Sequence, residues 1–269
     1  MGLNNKSKQI KEERLNSINF NHEGCKMKVI VYNHCSDIIV EFQDEYKAKV
    51  HTEWKHFKKG GVKNPYFPMV YEKGYIGTGK YNRKEYPEIY VMWSGMLRRC
   101  YSKEEKFKYS KYNNCYVCEE WHNFQNFAKW YEENYYEINN DFMCLDKDIL
   151  YKNNKMYSPK NCIIVPNRIN VLFTKSDIKR GEYPIGVTLY YDKKYGYKKL
   201  QSKCSVLNEE NKKYIKHLGC FPLDRPFQAF YCYKQFKENY IKQIADEYKN
   251  LIPKELYDAL YRYEVEIND

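Results

Sequence analysis

The stretch that decides the architecture is MCLDKDILYKNNKMYSPKNCIIVPNRINVLF, residues 143–173. It predicts a short strand over MCLDKDIL, a turn-rich loop through YKNNKMYSPKN and a second strand at CIIVP. A helix is predicted to begin at NRINVLFTK, with Asn167 as its N-cap, because an Asn side chain accepts backbone N–H groups of the first turn. Two strands and a helix in one short segment indicate the α+β fold class.

Apolar patterns on both sides of this stretch predict the remaining elements. Before it, β-rich runs at 29–32 and 38–42 predict a hairpin. Apolar residues at helical spacing then predict two amphipathic helices, at 86–102 and 117–138, with Trp93 and Trp121 in the core. The predicted regions are a polar arm at 1–23, a small β-rich module at 24–82, helices with the hairpin at 86–175, three strands with a helix at 181–250, and a C-terminal helix and tail at 251–269.

The composition is basic and rich in tyrosine. The 269 residues include 46 Lys and Arg against 35 Asp and Glu, a formal net charge of +11, together with 30 Tyr. Such a balance favours a polyanionic partner, and double-stranded DNA is the leading candidate. No window approaches the ~18 apolar residues of a membrane span, and the start of the chain lacks the apolar segment of a signal peptide. We therefore expect a cytoplasmic protein with no membrane partner.

Asp146 and Asp148 are the hairpin residues best suited to carry chemistry. Strand alternation predicts that they lie on one side of the first strand, with Lys147 on the other. Carboxylates of this kind, completed by an amide from the following helix, can hold a divalent cation such as Mg²⁺. The metal would stabilise a leaving oxygen while a base activates water. The alternative interpretation is that both are solvated residues at a strand end.

The hairpin resembles the ββα-metal fold of the HNH endonucleases. Residues 88–175 as a whole are similar to HNH-like and homing endonucleases of phages and bacterial mobile elements. The resemblance implies a metal-dependent DNA endonuclease (a hydrolase) that acts in the cytoplasm of a bacterial host cell. In the matching positions, Asp148 and Asn170 would hold the metal, with Asp146 as a further candidate ligand, and Asn161 would brace the loop.

The general-base histidine of that family is missing from the hairpin, since no His lies between His122 and His217. Asp148 could replace it, although an unshifted Asp, with a pKa of about 4, is a poorer base at neutral pH than His. His122 could instead approach from the preceding helix. The catalytic candidates are Asp146, Asp148, Asn161 and His122, and the metal-ligand candidates are Asp146, Asp148 and Asn170.

Residues 183–245 resemble the Apetala-two-type DNA-binding domain, which has three strands and a helix. In that family the sheet enters the major groove, and its Arg and Lys contact bases and phosphates. Lysines outnumber arginines in this sheet, which favours phosphate contact over base reading. The matching residues are Gly186, Val187, Leu218, Gly219, Phe221 and Ala229. The candidate contacts on the sheet are Lys193, Lys194, Lys198, Lys199, Lys203 and Lys213, interleaved with Tyr190, Tyr191, Tyr195 and Tyr197.

Two further features outside the hairpin and the sheet bear on partners. Arg98 and Arg99 at the end of the first amphipathic helix could face phosphate, with ordinary solvated surface as the alternative. Cys115 and Cys118 form a CYVC pair that could bind zinc, but no second CxxC exists, so buried thiols are the favoured interpretation.

Three functions are compatible with the sequence. The preferred one is a DNA-binding, metal-dependent endonuclease that cleaves phosphodiester bonds. The second is a catalytically inactive regulator that keeps the nuclease scaffold and binds DNA, which the missing histidine favours. The third is a protein-binding inhibitor or adaptor that uses its tyrosines as aromatic anchors.

Overall fold

A computed structural model describes residues 2–109, 112–138, 141–174, 182–208, 212–267 and 269. The chain divides into two compact units, Met1–Glu133 and Asn134–Asp269. Both units combine helices with small sheets, so the fold class is α+β, as predicted. The division falls inside the region 86–175 that the sequence presents as one module: its amphipathic helices belong to the first unit and its hairpin to the second.

A four-stranded antiparallel sheet follows the first helix, α1 (Gly2–Arg14). Alternate residues of its second and third strands are fully buried, among them Val29, Val40 and Phe42, because successive side chains of a strand point to opposite faces. These two strands pair as the hairpin that the sequence predicts. The strands lie in chain order and are β1 (Ile18–Phe20), β2 (Lys26–His34), β3 (Asp37–Phe42) and β4 (Lys49–Thr52), followed by the short helix α2 (Trp54–Lys58).

Helices and buried aromatic rings form the rest of the first unit. Trp93 and Trp121 have no exposed surface, and the indole N–H of Trp93 donates to the carbonyl of Trp121 at 2.7 Å. The prediction that both rings belong to the core is confirmed. The elements are α3 (Pro87–Tyr101), α4 (Lys103–Lys108), β5 (Tyr116–Val117), a 3₁₀ turn (Glu119–His122) and α5 (Phe124–Asn134).

The helix predicted at 117–138 is shorter than its apolar pattern suggests. It begins at Phe124, because Asn123 has an extended backbone and its side chain accepts the N–H of Gln125 at 3.0 Å. An Asn that bonds its own following backbone offers an alternative to continuous helix. Burial by itself therefore does not set the start of this helix.

Antiparallel strands β6 (Met143–Asp146) and β8 (Ile163–Pro166) begin the second unit, with the short strand β7 (Met156–Tyr157) between them in the chain. One helical turn, α6 (Asn167–Asn170), and a 3₁₀ turn, Val171–Phe173, follow directly. The predicted N-cap is wrong by one residue: Pro166 is the cap, and Asn167 is already helical. Its N–H donates to the Phe142 carbonyl at 2.7 Å, which fixes Asn167 in the first turn.

A three-stranded antiparallel sheet and two helices complete the second unit, as predicted for residues after 183. The strands are β9 (Val187–Asp192), β10 (Tyr197–Leu207) and β11 (Lys213–Phe221), in the order β11–β10–β9, and the helices are α7 (Pro226–Glu247) and α8 (Lys254–Arg262). One hydrophobic core joins this sheet to the hairpin, since Val165 and Ile169 cluster with Leu200, Ile241 and Leu256. The second unit is therefore built around a single apolar interior.

Candidate metal centre and candidate nucleic-acid interface

The carboxylate of Asp146 closes a backbone turn. Its Oδ1 accepts the N–H groups of Asp148 and Ile149, both at 2.7 Å. Strand β6 therefore ends at Asp146, and the prediction that Asp146 and Asp148 share one side of a strand is wrong. Alternation stops where a side-chain oxygen replaces the partner strand as acceptor.

Burial raises the pKa of the Asp146 carboxyl above its ordinary value of 3.8, while the two backbone N–H groups and the charge of Lys147 oppose the rise. The charge of Asp148 adds to the rise. The site thus disfavours a negative charge on Asp146 unless a further cation approaches. A hard divalent ion would supply such a charge.

Lys147 is the centre of the polar contacts in this loop. Its Nζ lies 2.7 Å from each carboxylate oxygen of Asp148 and 2.7 Å from the carbonyl oxygen of Asn154. The side chain of Lys147 is 7% exposed, whereas that of Asp148 is 50% exposed. The sequence placed Lys147 opposite the aspartates, and the end of β6 brings it to Asp148 instead. The carboxylate of Asp148 is therefore already paired with a cation.

Asn154 and Asn161 hold the hairpin loop closed. Asn161 donates to Oδ1 of Asn154 at 3.1 Å, which agrees with the bracing role inferred for it. Asn154 in turn donates to the carbonyls of Lys147 and Met156 and accepts the N–H of Met156. Sequence reasoning missed Asn154 as a structural residue, and its only signal was the Asn-Asn pair in a turn-rich loop.

Asn170 and His122 are the remaining ligand and base candidates. Asn170 ends the turn α6, and its amide makes no hydrogen bond with any described residue. His122 belongs to the first unit, where its Nε2 lies 3.3 Å from the Tyr101 hydroxyl. Burial, together with Lys73, lowers the pKa of the His122 imidazole. Among the residues the structure describes, no three His, Cys, Asp or Glu side chains are grouped so that they could hold a metal ion.

The cysteine pair considered for zinc lies in the first unit. Cys115 is buried, Cys118 is half-buried, and burial raises the pKa of the Cys118 thiol. A raised pKa disfavours the thiolate form that binds metals. The geometry of this pair adds no support for a zinc site.

The sheet of the second unit has two different sides. On β10, alternate residues from Leu200 to Val206 are buried in the core against α7. The intervening residues face away from α7, and their cross-strand partners share that side. We call this outer side the lysine face; it carries Thr188, Tyr190, Tyr197, Lys199, Gln201, Lys203, His217 and Cys220.

Lys199 lies between two aromatic rings of the lysine face. Its ammonium lies 5.1 Å from the ring centroid of Tyr190 and 5.3 Å from that of Tyr197. One of its N–H groups donates to the Tyr197 hydroxyl at 3.5 Å. The ring contacts restrict the side chain and leave the other N–H groups able to bond an anion. Lys203, four residues further along β10, lies opposite His217 on β11.

The turn between β9 and β10 adds two exposed cations at one end of the lysine face. Lys193 and Lys194 occupy this turn, and the Lys194 ammonium lies 5.0 Å from the ring centroid of Tyr195. Asp192 is the acidic residue at this end, and its Oδ1 accepts the N–H groups of Lys194 and Tyr195 at 3.0 and 3.3 Å. Its carboxylate therefore orders the turn.

The other candidate cations lie away from the lysine face. Lys198 is an exposed residue paired with Tyr191 across the strands, and Lys213 is an exposed residue at the start of β11. Arg98 and Arg99 lie on α3 in the first unit, and the Nε of Arg98 is 3.4 Å from a carboxylate oxygen of Glu105. The structure thus places Lys199 and Lys203 on one side of β10.

Comparisons with protein-family models, with curated proteins and with solved structures found no significant match. The resemblance to HNH-like endonucleases and to Apetala-two-type domains stays a prediction. Across the described ranges, no helix has both the length and the apolar character needed to cross a membrane.

Proposed function

We propose that the protein binds double-stranded DNA through the lysine face. The observation that supports this most is the row of Lys199, Gln201 and Lys203 on one side of β10, with no acidic side chain between them. At ~3.4 Å per strand residue, the two lysines are about 14 Å apart along the strand. This spacing is close to the ~12 Å width of the major groove. Each ammonium could then reach a phosphate on one side of the groove.

Gln201 gives this arrangement a means of reading sequence. It lies between the two lysines and has Thr188 and Cys220 as its cross-strand partners. A glutamine amide offers one donor and one acceptor to a base edge, and adenine presents the complementary pair in the major groove. In this proposal the lysines provide affinity and Gln201 contributes the preference for sequence. Such a protein would act in the cytoplasm of a bacterial host cell.

Fluorescence anisotropy with a labelled duplex tests the proposal over a series of salt concentrations. We expect the affinity of the full chain to fall steeply with salt, because bound phosphates release counterions. The double variant Lys199→Met with Lys203→Met should weaken binding by about tenfold for each lysine. It should also reduce the slope of log affinity against log salt by about 1.8.

A matched pair of single variants separates the two sides of the sheet. Lys203→Met removes a cation from the lysine face, whereas Lys216→Met removes one that lies over the Phe236 ring on the α7 side. Only the first should reduce DNA affinity. Equal losses in the two variants, or an affinity that does not respond to salt, would contradict binding through this face.

A metal-dependent endonuclease of phage or mobile-element type is the second candidate. The observation that favours it is the order of β6, β8 and α6, an antiparallel pair followed directly by a helical turn, with Asn161 bracing the loop. Mg²⁺ or a similar ion would have to draw Asp148 away from Lys147 and approach Asn170. Asp148 would then also have to activate the attacking water.

Cleavage of supercoiled plasmid with Mg²⁺ or Mn²⁺ tests this second function. An active enzyme should convert the plasmid to nicked or linear forms, and Asp148→Ala combined with Asn170→Ala should abolish the conversion. If the wild-type chain is as inert as the double variant with every metal while it still binds duplex DNA, the protein is a non-catalytic DNA-binding protein.

A further inference from the structure

A cavity of about 80 Å³ lies in the second unit near the end of β10 and the start of β11. The 3₁₀ turn Val171–Phe173, strand β10, helix α7 and the last residues of the chain form its walls. A volume of this size holds several water molecules or one small anion. Apolar side chains such as Leu172 and Val265 line it together with polar and cationic ones.

Lys237 is the cation that lines this cavity from α7. It is only 7% exposed, and it makes no hydrogen bond or ion pair with any residue that the structure describes. Burial lowers the pKa of its ammonium, Lys213 lowers it further, and the neighbouring Cys204 thiol opposes the shift. An unpaired buried ammonium is costly, because the interior does not replace the water that solvates it.

Lys213 supplies a second amine to the same cavity from the start of β11. Lys213 is an exposed residue, so its charge is partly screened by solvent, whereas Lys237 is buried. The two like charges repel each other and attract a shared counterion. The carboxylate of Asp269 also lines the cavity, but Lys152 at 2.9 Å and the N–H of Glu266 at 2.9 Å already bind it. The Asp269 carboxylate is therefore paired with Lys152 rather than with Lys237.

We propose that this cavity binds a small oxyanion, a phosphate or a carboxylate, with Lys237 and Lys213 as its cationic contacts. The anion would supply the acceptor that Lys237 lacks and would screen the two amines from each other. Neither Lys199 nor Lys203 lines the cavity, so the inference does not depend on DNA binding. We infer an oxyanion because two lysines line the cavity, and a small one because the cavity is small.

Proton uptake is the signature that distinguishes this site from a surface attraction. A bound anion favours the charged form of Lys237, so binding raises the pKa of its ammonium and takes up a proton wherever the free amine is neutral. Affinity should then fall as pH rises through the pKa of the free protein. The other ionisable groups that face the cavity are Cys204, Lys213, Tyr233, Tyr263 and Asp269.

Nuclear magnetic resonance of the full chain, labelled with ¹³C at the lysine side chains, provides the test. Lys237→Met and Lys213→Met assign the two signals, and inorganic phosphate and acetate are titrated separately. We expect the Lys237 signal to shift and saturate with at least one of them. Lys237→Met, followed through Lys213, should weaken that binding about tenfold or more. Lys194→Met, in the exposed turn between β9 and β10, should leave it unchanged.

Two results would overturn the inference. The first concerns the anion concentrations at which the two signals shift. The inference fails if neither phosphate nor acetate shifts the Lys237 signal at a lower concentration than it shifts the exposed Lys194 signal. The second is equal affinity in wild type and in a folded Lys237→Met variant, with folding checked by thermal unfolding. If Lys237→Met does not fold, Lys213→Met is used instead. Unchanged anion affinity in that variant would also overturn the inference. Loss of DNA binding in other variants would not affect either result.

Discussion

The hairpin loop and the lysine face use the same residue types in opposite ways. In the hairpin, the ammonium of Lys147 has three oxygen acceptors at 2.7 Å, all from the loop itself. On the lysine face, the ammonium of Lys199 is flanked by the rings of Tyr190 and Tyr197. An ion pair within the loop stabilises the local fold. An ammonium held between aromatic rings can still bind an external anion.

This difference predicts different responses to substitution. Changes in the hairpin loop should lower the free energy of unfolding and leave DNA affinity nearly unchanged. Changes on the lysine face should do the reverse, because exposed residues without a structural role seldom change stability by more than about 0.5 kcal/mol.

Asn154→Ala in the hairpin should have the largest effect. Its amide bonds the carbonyls of Lys147 and Met156, the N–H of Met156 and the side chain of Asn161. Leaving these partly buried groups unpaired should lower the free energy of unfolding by roughly 2–3 kcal/mol. Urea unfolding followed by circular dichroism measures the loss. Asn161→Ala, which removes only one of these bonds, is the graded control and should cost about 1 kcal/mol. Equal stability of Asn154→Ala and wild type would contradict the network.

Lys199→Glu on the lysine face should have the next largest effect, and on a different quantity. Reversing the charge should weaken duplex binding by at least about tenfold, or 1.4 kcal/mol, because it adds repulsion to a lost phosphate contact. The free energy of unfolding should change little. Anisotropy and urea unfolding on the same preparation measure both. If the variant loses stability but keeps its DNA affinity, Lys199 serves the local fold and not DNA binding, which would contradict the proposed difference between the two regions.

Asp146 gives a smaller effect that depends on pH. Its raised pKa means that the folded protein holds this proton more tightly than the unfolded chain does. The free energy of unfolding should therefore fall as pH rises from about 3.8 through the raised pKa. Asp146→Asn should remove this dependence, because its neutral amide oxygen can still accept both N–H groups. The variant should therefore be at least as stable as wild type at neutral pH. Asp146→Ala should cost about 1 kcal/mol.

The same pair of variants also tests whether Asp146 holds a metal. If Asp146→Asn is as unstable as Asp146→Ala at neutral pH, the charge of the carboxylate is needed, as a bound cation would require. Urea unfolding with and without Mg²⁺ distinguishes the cases. Stabilisation of wild type by Mg²⁺, absent in the Asn variant, would support the metal site.

The sequence predicted the regular elements well because their signals are local. Alternation along β10, with Leu200 and Cys204 inward and Lys199 and Lys203 outward, needs no knowledge of the rest of the chain. The hairpin loop was harder, because its form depends on which polar side chain satisfies which backbone group. Asp146 ends its strand and Lys147 turns back to Asp148 through such contacts. The shared core that joins hairpin and sheet is likewise a long-range result of packing.

The smallest expected effect is the coupling between Lys199 and Tyr190. Their cross-strand contact at 5.1 Å should give a small favourable coupling, because the ammonium is exposed to solvent. A double-mutant cycle of Lys199→Met and Tyr190→Leu, read by urea unfolding, measures it. Lys198 and Tyr191, neighbouring cross-strand partners, form the matched control pair and should show less coupling. Equal coupling in the two pairs would mean that Tyr190 does not restrain Lys199. The lysine face would then bind phosphate with a mobile side chain, at a larger entropic cost.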